Sequence, residues 1–149
     1  VANLETVVKS GTLIVRLKPN VIVTDLDSTE VVITGEAVVS AETTGGSNLT
    51  VTEVDASPFR ATASGGSHLE VSGRTADARL NASGGSGINA TKLLAEVASV
   101  EATGGSTIDV SASKSVEGTA SGGSRVTVTG GADATAISSS GGSSVNAAN

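Results

Sequence analysis

A Gly-Gly-Ser triplet recurs through the last two thirds of the chain, beginning at Gly45, Gly65, Gly84, Gly104, Gly122 and Gly141. The intervals are 20, 19, 20, 18 and 19 residues. A period in this range constrains the fold more than local propensity does, because each repeat becomes a unit that buries its apolar face against the next. Glycine and serine alone would also suit a flexible linker. What frames the triplets decides between the two. Two residues after each comes an aliphatic side chain: Leu49, Leu69, Ile88, Ile108, Val126, Val145. Two further on stand Val51, Val71, Ala90, Val110, Val128 and Ala147, with polar residues between. Alternation of period 2 is the mark of a half-buried strand.

A second alternating run precedes each triplet. Its inner positions are Ala41, Ala61, Leu80, Val100, Gly118 and Ile137, then Thr43, Ala63, Ala82, Ala102, Ala120 and Ser139. Two or three short strands in a coil of about 19 residues, stacked on like coils, make an all-β solenoid. The predicted corners are the glycine pairs Gly45-Gly46, Gly65-Gly66, Gly84-Gly85, Gly104-Gly105, Gly122-Gly123 and Gly141-Gly142, since glycine reaches φ > 0 without steric cost. The predicted core columns are Leu49, Leu69, Ile88, Ile108, Val126 and Val145, beside Val51, Val71, Val110 and Val128. Flanking hydroxyls, at Thr44, Ser64, Ser83, Thr103, Ser121 and Ser140 before the glycines and at Ser47, Ser67, Ser86, Ser106, Ser124 and Ser143 after them, are placed to form ladders down the corner. Roughly eight coils at the strand spacing would give a rod on the order of 40 Å long.

Composition agrees with a narrow lumen. Phe59 is the single aromatic, and there is no Cys, Met, Trp or Tyr. Hydrophobic residues still make up 38%, mostly Val and Ala, so a core exists but is thin. Phe59, in a variable arc, reads as a plug for one wider coil. The lack of cysteine excludes a disulfide scaffold and thiolate metal sites, and the lone His68 excludes a multi-histidine zinc site. A net charge of −6 argues against nucleic acid, which needs a basic face. Apolar runs such as Val21-Ile22-Val23 are far short of the ~20 residues of a membrane-spanning helix. The first residues, Val1-Ala2-Asn3-Leu4-Glu5, lack the basic and apolar regions of an export signal.

One domain is expected over 1–149, with irregular first coils over 1–44 and triplet-cornered repeats over 45–149. The first segment holds the bulkiest aliphatics, at Leu13, Val15, Leu17, Val21, Val23, Val31 and Ile33, with a turn at Lys18-Pro19-Asn20. Residues 91–97 are predicted as an irregular loop and strand rather than a helix. Arcs opposite the corner vary in length and charge, and surface function would vary most easily there.

The segments ASGGSHLEVSG (63–73), NASGGSGINATKLLAEVASVEATGGSTIDVSAS (81–113) and VEGTASGGSRVTVTGGADATAISSSGGSSVNA (116–147) resemble the bacterial head GIN domain family, which is grouped with autotransporter adhesins. The opening NLETVVKSGTLIVRLKP (3–19) is similar to the part of that family where a strand with a tight turn leads into the solenoid. The resemblance implies a right-handed single-stranded parallel β-helix in an exported protein, secreted, at the cell surface or in the periplasm. It brings no catalytic residues with it. The family's strands upstream of this opening have no counterpart here, so an incomplete first coil is expected.

Candidate chemistry is sparse. Glu70 and Asp109 fall in one outward column with Thr50, Asn89 and Thr127. Two coils apart, they lie roughly 10 Å from each other, near the carboxylate spacing of inverting glycosidases. A solvated strand face is the simpler reading. His68 and Arg125 belong to the adjacent outward column with Asn48, Gly87, Thr107 and Ser144. Asp25-Leu26-Asp27-Ser28-Thr29-Glu30 lacks the glycine and ligand spacing of a calcium loop. Thr52, Ser72, Thr91, Ser111 and Thr129 suggest a hydroxyl ladder, read as strand preference rather than an ice-binding array. Asn48, Asn81 and Asn89 open glycosylation triplets, relevant only in a suitable host.

The expected function is an extracellular structural or adhesive solenoid with no catalysis, cofactor or metal. A cell-surface or glycan partner is expected, with no nucleic acid and no membrane insertion. Coil ends without an evident cap point alternatively to head-to-tail self-association into a filament. A carbohydrate-active solenoid using Glu70 and Asp109 is the second alternative.

Overall fold

The computed structural model describes residues 4–17, 30–34 and 38–148. Twelve strands follow in chain order among them: β1 (Leu4–Lys9), β2 (Thr12–Leu17), β3 (Glu30–Thr34), β4 (Ser40–Thr44), β5 (Asn48–Asp55), β6 (Phe59–Ser64), β7 (His68–Ser83), β8 (Gly87–Ala102), β9 (Thr107–Ala120), β10 (Arg125–Thr129), β11 (Asp133–Ser139) and β12 (Ser144–Ala147). No helix occurs among the described residues, and residues 91–97 lie within β8. From β3 onward every pairing is parallel. The strands stack as a β-solenoid of about 6 turns, roughly 19 residues apart.

Each turn carries two strand faces that meet at a Gly-Gly-Ser corner. On the first face Leu49, Leu69, Ile88, Ile108, Val126 and Val145 align residue for residue. On the second, Ala61, Leu80 and Val100 align, as do Ala63, Ala82 and Ala102. Most of both columns is buried, with Leu49 and Val145 half-buried at the flanks. Small side chains are required because opposing faces are close, and Ala and Val fill that gap without strain. Phe59 is fully buried and is the largest side chain in the core.

The corners use their glycines unequally. Both members of each pair have positive φ, for example 64° at Gly104 and 77° at Gly105. A Cβ on Gly104 would also lie 3.3 Å from Gly84 N in the preceding coil, whereas one on Gly105 would meet nothing within 4 Å. The first glycine therefore serves stacking as well as bending. The serines that follow at 67, 86, 106 and 124 turn inward and are buried, whereas Ser47 is exposed and Ser143 half-buried. Ser86 Oγ lies 2.8 Å from the carbonyls of Ser83 and Ala63, and accepts from Ser83 N at 3.1 Å. Ser67 repeats the arrangement with Ser64 and Thr43, and Ser106 Oγ donates to Ala82 O at 2.9 Å. These three hydroxyls tie their corners to the coil before. A net ~1 kcal/mol per bond is the usual contribution, with a larger cost when a buried partner is left unpaired.

Two glycines outside the triplets hold the bends within a coil. Gly73 and Gly118 have φ of 135° and 140°. A Cβ at Gly118 would collide with Val100 O, and one at Gly73 with the backbone of Val54. Gly118 occupies its expected column between Val100 and Ile137, but its reason for being there is backbone approach, not apolar filling.

The first strands depart from expectation. β1 and β2 pair with one another, antiparallel, in a sheet of their own rather than as a coil. Ser10 and Gly11 form the two-residue turn between Lys9 and Thr12, with φ of 52° and 79°, the signature of a type I′ hairpin. That hairpin is one reason the solenoid has about six turns rather than eight. β3 and β4 do join the stack, against β5 and β6. The expected turn at Lys18-Pro19-Asn20, the strand at Val21 and Val23, and the acidic run at residues 25–29 lie outside the described residues.

Candidate functional site

The outward side of the first face presents two side-chain columns. Asn48, His68, Gly87, Thr107, Arg125 and Ser144 form one, in register. Thr50, Glu70, Asn89, Asp109, Thr127 and Asn146 form the other. Period-2 alternation puts them opposite the buried aliphatic columns. The parallel ladder sets successive members about 4.8 Å apart, so the face is a fixed array of hydrogen-bonding groups.

Glu70 and Asp109 are therefore two coils apart with Asn89 between them. Their surroundings differ. Glu70 Oε1 pairs with Lys92 Nζ at 2.9 Å, a partner absent from its own column that arrives because β8 bulges. The β7–β8 register slips between Glu70 and Ser72, so that Ser72 faces Lys92 instead of Thr91. Slippage on the other side of β8 sets Leu94 against Ser111. The hydroxyl column at Thr52, Ser72, Thr91, Ser111 and Thr129 is thus interrupted, with Ser111 and Thr129 alone of the later members still paired. Asn89 Oδ1 accepts from Thr91 N at 3.2 Å and from Thr91 Oγ1 at 2.7 Å, an Asx-type turn at the start of the bulge.

A cavity of about 320 Å³ opens on this face. Its floor is the backbone of Gly85, Ser86 and Gly87; His68 stands on the preceding coil, and Thr107 and Asp109 on the following one. Gly87 has no side chain where its column neighbours do, and the His68 ring occupies that place. A Cβ there would lie 2.8 Å from His68 Nδ1. Among the described residues, His68, Thr107 and Asp109 make no side-chain hydrogen bond or ion pair. Glu70 does not line the cavity. The column and the glycine are legible in the sequence; the bulge that brings Lys92 to Glu70, and the lean of His68 over Gly87, are not.

Elsewhere, Asn48, Asn81 and Asn89 all lie within strands, and Asn81 Nδ2 donates to Glu101 Oε2 at 3.1 Å. Lys114 and Glu96 pair at 2.6 Å on the opposite arc. Asp133, at the start of β11, accepts from Thr135 N at 2.9 Å, and that bond holds its carboxyl below the usual 3.8. No group of three or more His, Cys, Asp or Glu suited to a metal ion occurs among the described residues.

Residues 1–132 match the sequence profile of a family described as "Putative auto-transporter adhesin, head GIN domain". Among solved structures, the chain is similar to a crystal structure of a putative adhesin from Bacteroides fragilis, with a TM-score of 0.69 and 14% identity. The match covers 99% of this chain and 77% of that one; at this identity it speaks to the fold. No curated protein matches significantly.

Proposed function

The chain belongs to the auto-transporter adhesin head GIN domain family, and from that premise we propose that it is a non-catalytic adhesive module displayed at the bacterial cell surface. The observation that carries this reading is the outward array on the first face. Asn, His, Thr, Asp and Arg side chains stand in register on a backbone whose core is fully buried. Such an array binds by repetition and rigidity, because ordering costs on contact are small when the groups are already fixed.

Attachment tests the proposal. The chain is immobilised on beads, and retention on cell surfaces and matrix coatings is compared with a variant carrying Thr107→Glu and Thr127→Glu, which charges the face without touching the core. Retention that falls severalfold in the variant supports adhesion through this face, whereas no retention by the native chain overturns the adhesive reading. Hydrolase or lyase turnover that is lost on Glu70→Gln would overturn the non-catalytic part. Filaments growing with concentration under electron microscopy would assign the chain to head-to-tail assembly instead.

A further inference from the structure

We propose that the cavity over Gly87 is a binding site for one neutral sugar residue of a surface glycan. This rests on the adhesive reading above and names its partner chemistry. Three observations lead there. First, Gly87 leaves its place in the column to the exposed His68 ring, whose Nδ1 lies 2.8 Å from where a Cβ at 87 would stand, and the cavity opens beside that ring. Second, unpaired polar groups gather around it. Among the described residues His68, Thr107 and Asp109 have no side-chain partner, while their neighbours Glu70, Asn89 and Ser86 are engaged. Third, the volume of about 320 Å³ is at the lower end of the ~300–1,000 Å³ typical of small-molecule sites, which suits a single ring.

The lining decides the ligand class by its chemistry. A phosphate or carboxylate would face Asp109 with no Lys or Arg among the lining residues. One carboxylate and one imidazole are too few donors to hold a divalent cation, which takes six to eight oxygens for calcium or four ligands for zinc. The one ring in the lining is the His68 imidazole, a small polar surface beside a hydroxyl and a carboxylate, which favours a polar ligand over a flat aromatic one. What remains is a neutral molecule with closely spaced groups that both donate and accept. A carboxylate accepts, a hydroxyl does both, and the two imidazole nitrogens divide the roles. Vicinal hydroxyls on a ring match that set, and the bare Gly85–Gly87 backbone lets the ring approach closely.

The test is a titration of the full ¹⁵N-labelled chain, followed by NMR, with neutral hexoses and N-acetylhexosamines. Glucuronate, inorganic phosphate and calcium chloride serve as charged comparators. Saturable shifts at Gly85, Gly87, His68 and Thr107 with at least one neutral sugar are expected. Asp109→Ala and Thr107→Val should each weaken binding at least tenfold, with the amide spectrum elsewhere unchanged. Gly87→Ser should abolish binding, and the two milder variants keep the test valid if that one fails to fold. No saturable shift with any neutral sugar, equal binding by the charged comparators, or unchanged affinity in both mild variants overturns the site. Surface retention without sugar binding removes the site and leaves the adhesive reading. Sugar binding without retention does the reverse.

Discussion

The β1–β2 hairpin and the coils from Phe59 to Val128 are both β-structure with alternating aliphatic residues, yet they are stabilised in different ways. In the hairpin, a two-residue turn sets the register and both faces carry exposed aliphatics. Val8 is 71% exposed and Leu13, its cross-strand partner, 42%. Val7 and Ile14, on the opposite face, are exposed as well. The side-chain tie across it is the Glu5–Arg16 pair at 2.8 Å, and exposed pairs contribute little. In the stack, every coil is sandwiched by neighbours, and the register is set by columns of small residues, corner glycines and inward serines. Isolated two-stranded hairpins are marginal in water, whereas a covered sheet is not. Side-chain bulk is thus a poor guide to burial here: the large aliphatics at 7, 8, 13 and 14 are exposed while Ala61, Ala63 and Ala82 are completely buried.

The same kind of substitution placed in the two regions separates them. Gly118→Ala should have the largest effect, because its Cβ would overlap Val100 O inside a paired strand; a loss of about 4 kcal/mol or failure to fold is expected. Gly11→Ala in the hairpin turn meets nothing within 4 Å and costs the hairpin about 1–2 kcal/mol for its left-handed backbone. Because the hairpin opens apart from the stack, the substitution should barely move the urea midpoint of the whole chain. Phe59→Ala should come next, at about 3–5 kcal/mol, again read by urea unfolding.

Within the corners the contrast is finer. Gly105→Ala should cost about 1–2 kcal/mol for its left-handed backbone alone. Gly104→Ala should exceed it because the added methyl also presses on Gly84 N. Equal losses at the two positions would mean that coil approach at the corner is not tight. The smallest effect is expected for Val8→Thr, within about 0.5 kcal/mol. A loss as large as that of Phe59→Ala would show the hairpin to be part of the cooperative core.

Much of the stack was legible because a period survives in the sequence. The triplets locate the corners, and alternation assigns residues 49, 69, 88, 108 and 126 to the inside. What escaped depends on backbone detail that no side-chain pattern carries. Gly118 looks like a gap in an apolar column until its φ and its approach to Val100 are known. Lys92 reaches Glu70 only through a register slip that adds residues to β8, so the candidate carboxylate pair looked freer than it is. At residues 4–17 the alternation is as clear as in the stack, but alternation reports a strand and not what covers it. The cavity was half legible: Gly87 stands out among Asn48, His68 and Thr107, while the lean of His68 over it is a matter of rotamer.

Native-state hydrogen exchange tests the division between hairpin and stack most directly, because it reads opening free energies amide by amide. The expected result is that amides of β7, β8 and β9 exchange only through global unfolding and share one urea dependence, while those of β1 and β2 exchange through local opening with little urea dependence. Hairpin amides as protected as those of β8, with the same urea dependence, would contradict it.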